Sequence, residues 1–405
     1  MNFELDETDK LFQYSVRSFC NDKLKEIIDK ADMDKEKHIP KEALQLMAQN
    51  KLLGITIPEK YGGSGATLTQ AVIAGIEIGR MDITMATSVF YLLEAGWGKI
   101  FAKYGKEEAK AEVLPKVVNG EYFLGVASTE PAGGSDLTNI KTIARKEGNE
   151  YVINGEKQYI SGVREALELG GGHLTITCTD ENKKSRGGYT LIYVPANAEG
   201  VEIKTIENMG RMGISTGSIV YRDVRINEKY VIREENKGYA TLLEGFMKAR
   251  ALVSAACVGA AEEALEIGTN YIKNRMLFKK PLASYEGIQF ELADMYAQLE
   301  MVKLMLYKGA WLLDRQEKDE QENKETVSVS DINKTIAMVK WKAPELAFDI
   351  FKKVMMWHGA LAYSKDGGLE KGMRGITSYI MGAEGALNVM KFILSKEYLG
   401  KEYMQ

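Results

Sequence analysis

Cysteine and histidine are both scarce in this sequence, and this restricts the kinds of site that it can hold. The 405 residues contain three cysteines and three histidines, namely Cys20, Cys178, Cys257, His38, His173 and His358. The cysteines are far apart without C-x-x-C spacing, and the histidines form no H-x-x-x-H pair. The sequence therefore supports neither a disulfide framework nor a zinc site, and we expect buried thiols and no metal centre.

An excess of basic residues is missing as well. Lys and Arg total 53 against 57 Asp and Glu, which gives a formal net charge of -4. Because nucleic-acid binders use Lys and Arg to neutralise phosphates, this balance argues against a nucleic-acid partner. The sequence also has no Walker loop and no G-x-G-x-x-G after a strand, so neither an ATP site nor a nicotinamide site is indicated.

Long apolar runs and a targeting segment are absent too. No uninterrupted apolar stretch is long enough to span a bilayer, and the first residues, MNFELDETDK, are acidic and lack a basic region followed by an apolar run. We therefore expect a soluble, cytoplasmic protein of a reducing compartment with no membrane partner. With 45% hydrophobic residues, the chain can bury a large core divided between two or three domains.

The patterns that are present divide the chain into three segments. Over 1–120, apolar residues recur at helical spacing between Lys- and Glu-rich faces, which predicts an α-helical domain. Over 121–232, short runs such as YTLIYVPA and SIVYRDVRI predict the strands of a β-barrel or sandwich. Over 233–405, long helices are typical of a four-helix bundle. These long helices are predicted at 246–264, 287–316 and 327–354. The expected fold class is an α+β multidomain protein.

The most informative stretch is VASTEPAGGSDLTNIKTIARKEGNEYVINGEKQYISG, at 126–162. Its Gly133-Gly134 pair lets the main chain approach an anion or a ring edge without a Cβ in the way. KEGN and Asn154-Gly155 are tight-turn signals between strand-like runs. On composition alone, the alternative is an antiparallel β domain whose glycines only make turns.

Longer motifs resemble one known family. Thr-Glu-Pro at 129–131, Gly-Ser-Asp at 134–136 and Tyr-x-Ile-Asn-Gly-x-Lys-x-Tyr-Ile at 151–160 are together similar to the flavin-binding middle domain of the acyl-CoA dehydrogenase family. IPEKYGG and KYGKEEAK resemble its N-terminal helical domain, and the likeness covers essentially the whole chain. The resemblance implies the acyl-CoA dehydrogenase fold, FAD as cofactor, an acyl-CoA thioester as substrate, an electron-transfer flavoprotein as partner and a homotetramer.

The resemblance also places a catalytic base in GAEGA, at 382–386. Removal of a weakly acidic α-proton, while hydride leaves the β-carbon, needs a desolvated carboxylate of raised pKa. Glu384 fits this role, and Gly385 lets the backbone come close to the substrate. Some relatives take the base from the residue before the arginine that corresponds to Arg250, but here that residue is Ala249. The alternative for Glu384 is a capping or surface carboxylate at the start of the last helix.

Cofactor contacts follow from the same resemblance. It places Thr129 and Ser161 at the pyrimidine edge and N5 side of the flavin, Tyr159 against one ring face, and Arg275 at the FAD pyrophosphate of a neighbouring subunit. The full set of implied cofactor-binding residues is Val126, Thr129, Gly134, Ser135, Tyr159, Ser161, Arg275, Phe278, Met356, Gly359, Ala360, Ala386 and Asn388. The positions that depart from the family pattern, and so lose contacts to the dinucleotide, are Val126, Glu286, Met356, Ala386 and Asn388.

The implied substrate-binding residues are Ser135, Glu94, Arg250, Gly385 and Lys396. In the family, the helix that contains Glu94 lines the floor of the acyl pocket, and no arginine is placed there to pair with a distal carboxylate. We therefore hypothesise that dicarboxylyl thioesters such as glutaryl-CoA are disfavoured, because their second carboxylate would face Glu94. The alternative is that Glu94 is a structural carboxylate bonded to a helix terminus.

Three functions remain open on the sequence. The first is an FAD-dependent acyl-CoA dehydrogenase that introduces an α,β double bond into an acyl-CoA during fatty acid or carboxylic acid degradation. The second keeps the fold but acts as an enoyl-CoA reductase or a non-oxidative acyl-CoA enzyme. The third is a non-catalytic helical assembly or ligand-binding protein, which only the bare composition supports.

Overall fold

The computed structural model describes residues 5–183 and 187–403. Its α-helices are α1 (Glu7–Phe19), α2 (Lys25–Lys30), α3 (Met33–Glu36), α4 (Lys41–Gln49), α5 (Leu68–Met81), α6 (Ala86–Tyr104), α7 (Glu107–Val118), α8 (Val163–Glu168), α9 (Gly238–Asn274), α10 (Glu286–Glu322), α11 (Val329–His358), α12 (Ala360–Tyr363), α13 (Leu369–Met381) and α14 (Leu387–Leu399). Its strands are β1 (Phe123–Ala127), β2 (Ile143–Glu147), β3 (Glu150–Ser161), β4 (Gly171–Cys178), β5 (Tyr189–Pro195), β6 (Val201–Ile206), β7 (Thr216–Asn227), β8 (Val231–Ile232), β9 (Met276–Leu277) and β10 (Lys280–Pro281).

The N-terminal helices pack directly against the C-terminal ones. The carboxylate of Asp6 caps α1 by accepting a hydrogen bond from the Asp9 amide at 2.8 Å. Helices α5 and α6 are buried on almost every side, and α5 lies along α9. Glycines allow this close approach, because a Cβ at Gly79 would lie 2.4 Å from the Ala256 carbonyl oxygen. The first and last helical segments therefore share one core.

The middle strands form one continuous sheet in the order β6-β7-β3-β2-β4-β5-β8, with β1 parallel to β4. Every residue of β4 is buried, which places this strand at the centre of the packing. Strands β3 and β7 pair antiparallel, with irregularities between Ile153 and Gly155 and between Lys157 and Ile160. The second irregularity leaves Tyr159 in the left-handed region, at φ 59°, and turns its ring out of the sheet.

The last segment consists of long helices packed side by side. Helices α9 and α10 each have 37 residues, and α11 has 30. Their contacts join α9 to α11, α10 to α11, and α11 to α13 and α14. Helices α9 and α10 extend beyond the predicted ranges at both ends, whereas α11 begins slightly later and ends later than predicted. The predicted fold class is confirmed: a helical segment, a sheet segment and a helical bundle follow one another.

Two negative findings apply to the part of the chain that the structure describes. It contains no helix that is both long enough and apolar enough to cross a membrane. It also contains no group of three or more His, Cys, Asp or Glu side chains arranged to hold a metal ion. Cys20, Cys178 and Cys257 are buried free thiols.

Candidate active site

A cavity of about 590 Å³ separates the sheet from the end of the helical bundle. One wall is built by the loop after β1, the bulge of β3 and the start of β7. Residues of the connection between α13 and α14, of α6 and of α9 complete the lining. The lining residues taken up below are Val126, Thr129, Gly134, Ser135, Tyr159, Ser161, Arg250, Tyr379, Glu384, Gly385 and Ala386.

Glu384 lies in the short connection between α13 and α14, where the backbone is strained. Ala383, Glu384 and Gly385 have successive positive φ values of 43°, 58° and 105°, which is costly for the two residues that have a Cβ. Two buried cations hold this conformation. Arg250 Nε donates to the Glu384 carbonyl oxygen at 2.9 Å, and Lys340 Nζ donates to the Gly382 carbonyl oxygen at 3.3 Å. The loop thus presents the Glu384 side chain to the cavity.

The surroundings of the Glu384 carboxyl place its titration near neutral pH. Burial raises the pKa of Glu384 to about 7, although the positive charges of Arg250 and Lys340 act in the opposite direction. Its Oε2 atom is buried and has no hydrogen-bond partner among the described residues. The indole N–H of Trp97 lies near enough to lower the pKa slightly, yet it makes no hydrogen bond of ordinary geometry. This carboxyl can therefore accept or donate a proton near pH 7.

The same cavity is also lined by a cradle of hydroxyl, glycine and aromatic residues. Thr129, Gly134, Tyr159 and Ser161 all line it, and 64% of the Tyr159 surface is exposed. A Cβ at Gly134 would come within 3.0 Å of the Thr129 side chain, so glycine keeps the entry clear. The His173 ring bonds the Ser161 carbonyl oxygen through Nε2 at 3.0 Å and holds that end of β3. A planar ring with polar edges fits this surface, and the residues present suit a flavin.

An ion pair beneath the cradle was missed at the sequence level. Lys157 and Glu130 are fully or almost fully buried and lie 2.8 Å apart. Glu130 also accepts hydrogen bonds from the Lys141 amide and from the Thr142 amide and hydroxyl, and these bonds fasten the loop after β1 to β2. The signal was a lysine that shares the alternate positions of β3 with Tyr151 and Ile153, together with a glutamate between Thr129 and Pro131. Glu130 lines the cavity and Lys157 does not, so the lysine supports the cradle through its ion pair with Glu130.

Several residues implied at the cofactor do not join this cavity within one chain. Arg275 and Phe278 lie at the exposed β9–β10 hairpin, and 84% of the Phe278 surface is exposed to solvent. Met356 is exposed near the end of α11, and Gly359 and Ala360 follow it. Asn388 is exposed on α14, and Lys396 lies two turns further along the same helix, away from the cavity lining. By contrast, Val126, Ser135 and Ala386 do line the cavity.

Glu94 does not have the predicted place in the substrate pocket. The structure places it fully buried and outside the cavity lining, which α6 contributes through Val89, Leu92 and Leu93. Its Oε1 accepts a hydrogen bond from the Leu124 amide at 2.9 Å. The carboxyl therefore anchors the start of β1, and the expected substrate contact is wrong because the side chain points toward the sheet. Glu94 is therefore not placed to repel a second carboxylate of a bound thioester.

Comparison with known proteins agrees with this geometry. Models of three domains match in sequence order: "Acyl-CoA dehydrogenase, N-terminal domain" over 6–121, the middle domain over 125–224 and the C-terminal domain over 236–399. A 3-(aryl)acrylate reductase of Clostridium sporogenes is 31% identical, with 97% of this chain and 99% of that protein covered. A caffeyl-CoA reductase-Etf complex subunit of Acetobacterium woodii is 30% identical, with 98% and 99% covered. The solved glutaryl-coenzyme A dehydrogenase glutaryl-CoA complex has a TM-score of 0.88 at 27% identity, with 98% and 97% covered.

Proposed function

The chain belongs to the acyl-CoA dehydrogenase family of FAD-dependent oxidoreductases, and we propose that it removes the α-proton and the β-hydride of an acyl-CoA thioester, with Glu384 as the base. The observation that carries this proposal is that the Glu384 carboxyl lines the same cavity as the cradle, with its Oε2 atom buried and its pKa raised by burial to about 7. A base that titrates near the working pH can take a proton from carbon and release it again.

Each wall of the cavity has a separate task in this reaction. Bound FAD supplies the hydride acceptor. Thr129 and Ser161 can hold its ring edge through their hydroxyls, and Tyr159 offers an aromatic face. Arg250 fixes the carbonyl of Glu384 and so orients the base toward the thioester. Burial of the Glu384 carboxyl keeps its pKa high and gives the carboxylate the basicity that the step needs.

The residues that lie outside the cavity lead us to propose a homotetramer. Arg275 and Phe278 can serve a cofactor only if their hairpin reaches a neighbouring subunit, because the cavity of their own chain does not include them. Large exposed apolar side chains on α10 support such contacts, and these include Met301, Leu304 and Trp311. We also propose a cytoplasmic location, in keeping with three unpaired buried cysteines.

An anaerobic titration tests the reaction. Purified protein is loaded with FAD, mixed with a panel of acyl-CoA thioesters and followed by the loss of flavin colour. We expect bleaching with at least one saturated acyl-CoA and none with the Glu384→Gln variant, which retains the cofactor. Full FAD loading with neither bleaching by any saturated acyl-CoA nor return of the flavin colour when an enoyl-CoA is added to the reduced protein would contradict the proposal, and such a protein would have a non-oxidative role.

Reduction of an enoyl-CoA is the second candidate, and the names of the relatives favour it. The Clostridium sporogenes and Acetobacterium woodii proteins are both named reductases, and the second is a subunit of an Etf complex. We propose an electron-transfer flavoprotein as the partner in either direction. The pH dependence separates the two. Dehydrogenation requires ionised Glu384 and rises through pH 7, whereas reduction requires the protonated acid and falls through the same range.

A further inference from the structure

Two buried polar atoms beside the base are complementary and unpaired. The indole Nε1 of Trp97, on α6, can only donate a hydrogen bond, and the Glu384 Oε2 atom accepts one when the carboxyl is ionised. Both atoms are buried, and neither has a hydrogen-bond partner among the described residues. Buried tryptophan N–H groups usually have an acceptor, and a buried polar atom without a partner destabilises the folded chain. Each of these two atoms can supply what the other lacks.

Helix packing brings Trp97 to the turn of α9 that holds Glu384. The Trp97 ring meets the Phe246 ring edge to face, with 5.7 Å between the ring centroids, and a Cβ at Gly245 would lie 2.2 Å from the Trp97 ring. The Arg250 guanidinium lies 5.7 Å from the centroid of the same Phe246 ring, and Arg250 Nε donates to the Glu384 carbonyl oxygen at 2.9 Å. Trp97 and Glu384 are therefore joined through a single turn of α9.

The Trp97 side chain acts on the base and not on a ligand. It is fully buried and does not belong to the cavity lining. Burial has the largest effect on the pKa of Glu384 and raises it, whereas the Trp97 side chain is one of the groups that lower it. Because the buried Oε2 atom cannot be hydrated, ionisation of the carboxyl increases its need for a donor. A rotation of the Glu384 side chain would close the bond to the indole.

The other polar groups around the Glu384 carboxyl have different partners. Arg250 on α9 and Lys340 on α11 act on it through their positive charge, and both donate to backbone carbonyl oxygens. Glu94, also on α6, accepts a hydrogen bond from a backbone amide of β1. The hydroxyl of Tyr379, on α13, is buried without a partner and is the one other candidate donor among these described groups.

We propose that Trp97 is a positioning residue: its indole N–H donates to Oε2 of ionised Glu384 and leaves Oε1 as the oxygen that takes the substrate proton. The inference rests on the proposed function. A hydrogen bond to one carboxylate oxygen fixes the direction of the other and stabilises the ionised form. In the dehydrogenation direction, this contact keeps more of the enzyme in its reactive form at and below neutral pH.

The pH dependence of turnover tests this role. Trp97→Phe keeps an aromatic ring against Phe246 and removes the N–H, and initial rates are measured with an acyl-CoA and a dye acceptor. We expect the midpoint of the pH–rate profile to rise by about one unit, so that turnover falls about 10-fold at about pH 6 and matches the wild type at about pH 10. Trp341→Phe is the matched control, because it removes another buried, unpaired indole N–H, between Lys342 and Lys391, and should leave the midpoint unchanged.

Nuclear magnetic resonance observes the bond without turnover. The chain has four tryptophans, so FAD-loaded protein with isotope-labelled tryptophan gives four indole N–H signals, and Trp97→Phe identifies one of them. We expect this signal to move downfield as the pH rises through about 7, because the ionised carboxylate is the stronger acceptor. In Glu384→Gln the signal should not change with pH.

The outcomes distinguish the positioning role from the proposed function. If the wild type converts neither acyl-CoA nor enoyl-CoA thioesters, the proposed function fails, and the indole signal alone decides whether the bond exists. An equal loss of turnover by Trp97→Phe at low and high pH, or a Trp97 signal that does not titrate, would refute the positioning role. If Tyr379→Phe raises the midpoint and Trp97→Phe does not, the tyrosine is the donor and the proposal is wrong.

Discussion

Replacing Glu384 with glutamine should make the protein inactive and more stable at the same time. Gln keeps the shape of the side chain but cannot ionise. Burial raises the pKa of Glu384 from 4.5 to about 7. Ionisation of this carboxyl therefore costs about 3 kcal/mol more in the folded protein than in the unfolded chain. The Glu384→Gln variant has no carboxyl to ionise at this position, so its folded state is not destabilised in this way.

The sign of the pH effect follows from the two pKa values. Below pH 4.5 the carboxyl is protonated in both states and costs nothing. Between 4.5 and about 7 the unfolded chain ionises first, so the free energy of unfolding of the wild type falls as pH rises and then levels off. We therefore expect Glu384→Gln to match the wild type near pH 4 and to exceed it by about 2 to 3 kcal/mol at pH 8.

Urea unfolding at both pH values measures stability, and the initial rate with an acyl-CoA and a dye acceptor measures activity. We expect turnover to fall about 100-fold to 10,000-fold, the usual contribution of a positioned base. Glu345→Gln is the control, because this carboxylate on α11 is only partly covered and pairs with Lys342 at 3.4 Å. The same pH dependence of stability in wild type and Glu384→Gln, or undiminished turnover, would refute the reasoning.

Three further changes test the supports of the site. Lys340→Met removes a positive charge that lowers the pKa of Glu384, so the midpoint of the pH–rate profile should move above 7, and an unmoved or lower midpoint would contradict this. Lys157→Met leaves Glu130 as an unpaired buried charge and should cost about 3 to 5 kcal/mol in urea unfolding, along with bound FAD. The double variant with Glu130→Gln should recover much of that loss, and no recovery would disprove the ion-pair account. Trp311→Glu should lower the mass measured by light scattering, and an unchanged tetramer would place the subunit contacts elsewhere.

The sequence was most informative where several local signals coincide. Apolar periodicity located the long helices of the last segment, although most of their ends lay further out and α11 begins inside its predicted range. The motifs over 126–162 and 382–386 named Thr129, Tyr159, Ser161 and Glu384, and the structure brings these four residues to one cavity. Residues so distant in the chain meet because a bulge in β3 turns Tyr159 outward and a strained loop turns Glu384 inward.

The sequence was least informative where direction and pairing decide the role of a side chain. Helix α6 is buried almost all round, so its pattern gave no sign that Glu94 points toward β1 and away from the cavity. Arg275 and Phe278 raise a different difficulty, because their proposed contacts require a second subunit.

Hydrogen exchange at the α-carbon is the measurement that most directly tests whether Glu384 handles the substrate proton. An acyl-CoA is incubated with the FAD-loaded protein in D2O without an electron acceptor, and deuterium in the recovered thioester is measured by mass spectrometry. We expect the wild type to place deuterium at the α-carbon and Glu384→Gln to give only the background level. Exchange by Glu384→Gln at the wild-type rate, or no exchange by a wild type that binds both FAD and thioester, would contradict the assignment.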